Sequence, residues 1–442
     1  MTISFDESLS AFAQVLERAG VDLSEQGGTV VRDSRGRLSF IAGGTISTEV
    51  ADRVNRLIDG DLGPYVSPLG PIADQDSPGA KRVLSDKEAL PVDVKLENDR
   101  GLTIRLLDRR AIGADWLHQP LSDTPAPPRL VFASIKGGVG RSTALSVLAA
   151  DLAERGFSLL VVDLDLEAPG VGSMLIDRTA TPLFGSMDFF VESGLKTIPD
   201  NFMLDCLAPS WLGGGRGRID VVPSLGSKSL NNPAGVLAKL ARAYLETPSP
   251  DGEPQQTFLT HAQDFLNRLT SLNRYDAVLV DARAGLHETT AASILGLGAD
   301  VLLFGVDQLQ TEIGYNVLLS HLAQFPVLNT DSDWRYRLRM VQAKSEPDDA
   351  ALARYRMKMY DLFERTFYSR EPISGSDIID ADFRFSIDDG DGPHFPIPIF
   401  EDERYRLFDP AQDRTQLTRD LYGMSFSPFV GICTERLRLN EA

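Results

Sequence analysis

The apolar positions of the first hundred residues change period several times. SLSAFAQVLERAG (8–20) spaces them three and four apart, the signature of a helix with one buried face. TVVRDSRGRLSFIAG (29–43) predicts two strands either side of a turn at Asp33-Ser34-Arg35-Gly36. TEVADRVNRLIDG (48–60) returns to helical spacing, with Gly60 placed to end it. Residues 66–92, rich in Pro, Gly and Asp, show no period and read as a loop or linker, while GLTIRLLD (101–108) reads as a strand. The clustered prolines of DTPAPPRL (123–130) fit neither ladder nor helix and mark an interdomain linker.

From Leu130 short apolar runs alternate with helical stretches. The strand candidates are LVFASI (130–135), SLLVVDLD (158–165), IDVVPS (219–224), YDAVLVDA (275–282), DVLLFGVD (300–307), LRMVQAK (338–344) and FPIPIF (395–400). Several are apolar almost throughout, as strands covered on both faces must be. The alternation predicts an α/β fold with a doubly wound, mostly parallel sheet. Segments near 185–218 and 366–393 break the rhythm and read as insertions or loops. The expected organisation is a small α+β domain over 1–122, a linker over 123–129 and the α/β domain over 130–442.

Composition narrows the function. The 442 residues carry a net charge of -19, which argues against a broad DNA-coating face, since such faces are basic. Two cysteines, 206 and 433, make neither a disulfide framework nor a zinc site, and with no secretory leader they point to a reducing cytoplasm. No apolar run is long enough to cross a membrane.

The strongest chemical signal lies at 134–145, SIKGGVGRSTAL. A strand precedes it, and a helix follows with Leu145, Leu148 and Leu152 on one face and Gly156 as its stop. Strand, glycine loop and helix in that order make a phosphate loop. Glycines admit phosphate close to the backbone N–H groups, and the helix N-terminus adds unpaired donors and its positive dipole end. Ser142 stands where a hydroxyl meets magnesium. Acids end the apolar strands downstream: Asp163, Asp165 and Glu167 after one, Asp281 after another.

KGGVGRST (136–143) resembles the deviant Walker A motif, KGGxGK[ST], of the ParA/MinD group of P-loop ATPases, in its KGGVGR variant. The resemblance extends along most of 130–442 and leaves residues 1–125 outside it. It implies ATP and Mg2+ as cofactors and a nucleotide-sandwich homodimer. It assigns the nucleotide to Lys136, Gly137, Gly138, Val139, Gly140, Arg141, Ser142 and Thr143, and the metal to Ser142, Asp163 and Asp281. Lys136 would reach the phosphates held by the opposite subunit, Arg141 would contact phosphate, and Asp165 would position the attacking water.

Two departures stand out. Arg141 replaces a lysine, keeping the charge but presenting a larger planar fork, which puts fast hydrolysis in question. Ala282-Arg283-Ala284-Gly285 replaces a Pro/Gly turn, with His287 just beyond. The expected function is an ATP-binding, ATP-hydrolysing dimeric switch that regulates a partner protein, docked in part through 1–122. The alternatives are a nucleotide-holding scaffold subunit with little turnover and a DNA-partitioning ATPase. WRYRLRM (334–340) reads as a strand start with one solvated face, the alternative being a surface that stacks on nucleic acid, and GGGRGR (213–218) as a flexible loop, the alternative being a phosphate or nucleic-acid contact.

Overall fold

The computed structural model describes residues 3–24, 27–58, 60, 62–96, 100–110, 113–212, 216–246, 256–327, 332–368 and 383–439. The chain parts into two compact units, Met1–Leu117 and His118–Ala442.

The smaller unit is α+β. Helix α1 (Phe5–Arg18) buries Leu9, Phe12 and Leu16 against Val30, Phe40, Ile104 and Leu106 of the sheet. Strands β1 (Gly28–Arg32) and β2 (Leu38–Ala42) form the predicted hairpin, in register from Gly28↔Ala42 to Arg32↔Leu38. Helix α2 (Thr48–Leu57) starts on a Ser47 cap and stops at Ile58, short of Gly60. The expectation of a linker over 66–92 is corrected here. That stretch holds β3 (Ile72–Ala73), α3 (Ala80–Leu84) and the start of β4 (Leu90–Lys95). With β5 (Gly101–Asp108) the sheet order is β3-β2-β1-β5-β4.

The larger unit carries an eight-stranded sheet. Its strands are β6 (Arg129–Ser134), β7 (Ser158–Asp163), β8 (Ala208–Pro209), β9 (Arg218–Val222), β10 (Ala277–Ala284), β11 (Asp300–Gly305), β12 (Leu338–Ser345) and β13 (Ile397–Phe400). The order is β13-β12-β11-β6-β10-β7-β9-β8, parallel throughout except for the short edge strand β8. This is the doubly wound α/β architecture that the apolar runs predict. The chain leaves β6 through helix α4 (Arg141–Glu154), returns as β7 two places away, and later inserts β10 between them. The carboxyl ends of β6, β10 and β7 therefore open side by side, where an open α/β sheet binds its ligands.

Helix α4 is buried over most of its surface, with Leu145, Leu148 and Leu152 fully inside. Its second cover is the C-terminal helix Arg419–Arg436. Phe429 from that helix meets Phe132 of β6 and Phe304 of β11, with ring centroids 6.2 and 5.9 Å apart. Tyr422 donates to Asp151 of α4 at 2.7 Å.

Several expectations for this unit are revised. The region 185–218 is not irregular: it contains helices Ser186–Ser193 and Asp200–Leu204 as well as β8. Of GGGRGR, residues 213–215 lie outside the described residues, but Gly217 is bound tightly, its N–H donating to Ala153 O at 2.9 Å. Residues 369–382 of the second interruption also lie outside. WRYRLRM opens as a 3-10 turn (Trp334–Arg337) and not as a strand, and most of the face expected to be solvated is buried, with Tyr336 left exposed. Arg335 is buried on Asp333 at 2.8 Å, and Arg339 donates to Gly392 O at 2.8 Å. Among the described residues no helix is long and apolar enough to cross a membrane.

Candidate nucleotide site

The loop from β6 to α4 takes the shape its glycines dictate. Gly138 and Gly140 sit at φ +74° and +90°, a region that L side chains enter at a cost of roughly 1 kcal/mol or more. Gly140 caps α4, so the loop opens onto the unsatisfied N–H groups and positive end of that helix. A Cβ at Gly137, Gly138 or Gly140 would meet no protein atom within 4 Å, whereas Val139 is buried in the core and anchors the loop. Gly140→Ala is expected to lower stability by about 1–2 kcal/mol in denaturant unfolding, from backbone strain alone. Gly137→Ala, free of that strain, is expected to stay within about 0.5 kcal/mol of wild type.

Ser142, on the first turn of α4, donates to Asp281 Oδ2 at 2.5 Å. Asp281 Oδ1 is buried without a hydrogen-bond partner among the described residues. Asp163 lies directly across from Asp281 in the β7–β10 register. Both Asp163 oxygens are engaged: Oδ1 accepts from Asp165 N–H at 3.0 Å and Oδ2 from Gly170 N–H at 3.2 Å. Asp163 thus pins the loop that follows β7. Asp165 Oδ1 accepts from Ala168 N–H at 3.0 Å, and its Oδ2 meets Arg141 Nη2 at 3.3 Å.

Arg141 is 8 % exposed and turned inward. Besides Asp165 it donates through Nη1 to the Ala282 carbonyl of β10. The guanidinium therefore bridges the loop after β7 and strand β10 itself, and does not project from the glycine loop. Lys136 lies farther out, its Nζ donating to Gln308 Oε1 at 3.0 Å, while Thr143 is half-buried on the first turn.

The charge balance is uneven. Asp163, Asp165 and Asp281 are each at most 5 % exposed, and Arg141 is the cation bonded among them. Burial pushes the Asp281 carboxyl up to about 6, against the opposing pull of Arg141 and of the Ser142 hydrogen bond. Burial, reinforced by the charge of Asp281, holds Asp163 well above the ordinary carboxylate range. A buried site with surplus negative charge favours a bound cation.

Sequence reading singled out Arg283 and His287 without a role. Arg283 pairs with Glu167, and His287 Nε2 lies 3.9 Å from the same carboxylate. These contacts tie the loop after β10 to the loop after β7. Glu167 and Gln308 were missed as partners. Their only signal in the sequence is position, two residues past Asp165 and just beyond the end of β11.

A glycine loop between a buried parallel strand and a helix, backed by acids from the two adjoining strands, defines an α/β unit of the P-loop type. Residues 128–205 match the ParA family model, described as NUBPL iron-transfer P-loop NTPase. The ParA/MinD-type likeness read from KGGVGRST holds over that segment. No curated protein sequence matches the chain. Among solved structures, the chain is similar to the ATP complex of Cyanothece McdA, with 17% identity over 71% of this chain and 98% of that one and a TM-score of 0.42. A ParA family ATPase from Chlorobium tepidum TLS shares 15% identity over 68% and 98% of the two chains, with a TM-score of 0.38. The Pyrococcus furiosus cell division ATPase MinD shares 17% over 51% and 75%, with a TM-score of 0.34. Likenesses this distant assign no role to any residue here.

Proposed function

We propose that the larger unit binds ATP with Mg2+ and hydrolyses it slowly, as a switch that changes the affinity of a partner protein. The observation that carries this reading is the Ser142–Asp281 pair at the foot of the glycine loop, with Asp281 Oδ1 buried and unpartnered. The loop's open N–H groups would take the phosphates. Ser142 and Asp281 would hold the magnesium, with Asp163 behind them fixing the β7 loop. Among the described residues no three His, Cys, Asp or Glu side chains are disposed to hold a metal by themselves. That suits magnesium, which takes one or two protein ligands and completes its shell with water and phosphate oxygens. When bound, the ion neutralises phosphate charge. Asp165 would orient the attacking water, and Lys136, at the outer edge of the loop, would act across a homodimer.

The Arg141–Asp165 contact favours a second reading, a subunit that holds nucleotide with little turnover. The side chain assigned to phosphate and the one assigned to water occupy each other, and both must be released before either can act.

ATP turnover by wild type, Lys136→Ala and Asp165→Ala distinguishes these readings. The switch reading expects slow turnover in wild type and at least a ten-fold loss in each variant. Unchanged turnover in both variants would overturn the site assignment, and retention of ATP with no phosphate release in wild type would establish the scaffold reading instead.

A further inference from the structure

The smaller unit contains a cleft of about 590 Å³ at the β1–β2 turn, a size within the range of small-ligand sites. Its walls carry four arginines: Arg32 and Arg35 from the hairpin, and Arg109 and Arg110 just past the end of β5. The sheet brings them together. β1 and β5 run parallel with Arg32 opposite Asp108, and Arg109 N–H donates to Arg32 O at 2.8 Å. In a chain of net charge -19 this convergence of guanidiniums, with no lysine among them, is unusual.

Two of the four are already paired, Arg109 with Asp86 at 2.8 Å and Arg110 with Asp108 at 2.9 Å. The other two make no ion pair among the described residues, although the charges of Asp108 and Asp6 act on Arg32 from a distance. Arg32 lies over the Phe5 ring with its guanidinium carbon 4.6 Å from the centroid, and its Nε is buried without a hydrogen-bond partner. Arg35 stands exposed at the tip of the turn, with no side-chain partner among the described residues. Asp33 does not reach out to them: its Oδ1 accepts from the N–H groups of Arg35 and Arg37 at 2.9 and 2.8 Å and locks the turn. Gly36 completes the wall, since a Cβ there would strike Phe5 at 2.8 Å and displace the ring beneath Arg32. Half-buried Arg32 and exposed Arg35 both line the cleft, and the planar guanidinium fork fits phosphate at two points. Two unpaired guanidiniums match the double charge of a phosphate group better than the single charge of a carboxylate.

We propose that this cleft binds a small ligand through a phosphate group, with Arg32 and Arg35 as its direct donors. The site is separate from the glycine loop and does not depend on the function assigned there.

The test is calorimetric titration of full-length protein with pyrophosphate. All arms carry Ser142→Ala and are titrated without Mg2+; the glycine-loop N–H groups remain in every arm, so the cleft is read from the difference between arms. The parent is expected to bind pyrophosphate, and Arg32→Gln/Arg35→Gln is expected to lose at least ten-fold in affinity at an unchanged melting temperature. Because Arg35 is exposed, Arg35→Gln alone tests the site without risk to folding and is expected to lose about three-fold or more. Citrate, a carboxylate anion, is expected to bind more weakly than pyrophosphate. No pyrophosphate binding by the parent, equal binding by parent and Arg35→Gln, or tighter binding of citrate would each overturn the proposal.

Discussion

Arg141→Ala is expected to destabilise the larger unit by about 3–5 kcal/mol, the cost of removing one partner from a buried ion pair. Arg141 is 8 % exposed, and its guanidinium is held by Asp165 and by the Ala282 carbonyl. Without it, Asp163, Asp165 and Asp281 remain buried with no bonded cation, and the Ala282 carbonyl loses a donor. Arg141→Lys keeps the charge but offers a single ammonium where a fork now spans strand β10 and the loop after β7, and an intermediate loss is expected. Urea unfolding followed by a probe in the larger unit measures both. If Arg141→Ala proved as stable as wild type, the inward position of this side chain would be wrong, and the outward, phosphate-facing position implied by the family resemblance would be favoured.

The second large effect has the opposite sign. Asp281→Asn is expected to stabilise the ligand-free protein at neutral pH by on the order of 2 kcal/mol while abolishing its response to Mg-ATP. Burial disfavours the charge of this carboxyl and pushes it up to about 6 in the folded chain. A group whose folded pKa is raised holds more protons folded than unfolded. Its contribution to stability is therefore greatest below about pH 4 and falls away as pH rises to about 6. The stability difference between Asp281→Asn and wild type should be near zero at pH 4, open across that window and level off above it. Thermal melts across pH read this directly. A variant less stable than wild type at pH 7 would mean that the carboxylate is not penalised by burial.

How much of this was legible beforehand differs between elements. The parallel strands announced themselves, because a strand covered on both faces has little choice but Val, Leu, Ile and Phe along its length. The phosphate loop was equally plain, since Gly138 and Gly140 occupy backbone angles that other residues avoid. Strand β4 was hidden by Pro91, which an edge strand tolerates and an inner one does not. The C-terminal helix was hidden by Gly423, Pro428 and Gly431, residues of poor helical propensity that are overridden by the packing of Tyr422, Phe426 and Phe429. In WRYRLRM the alternation suggested a wet face. The partners that dry it, Asp333 and the carbonyls of Gly390 and Gly392, come from a turn and a distant loop.

The site followed the same division. Its inventory of Lys136, Ser142, Asp163, Asp165 and Asp281 came from strand ends and loop spacing, and the fold sets the three aspartates at adjoining strand ends with Ser142 bonded to Asp281 from the first turn of α4. The direction of Arg141 and the Arg283–Glu167 pairing depend on side-chain contacts across loops, which no local pattern encodes.

The proposed nucleotide site has its metal end at Ser142 and Asp281. Calorimetric titration of ATP into wild type and Ser142→Ala, each with and without Mg2+, tests it most directly. Mg2+ is expected to tighten ATP binding to wild type by at least ten-fold, and Ser142→Ala to lose this enhancement while keeping its fold. Equal enhancement in the two proteins, or no ATP binding by wild type, would contradict it.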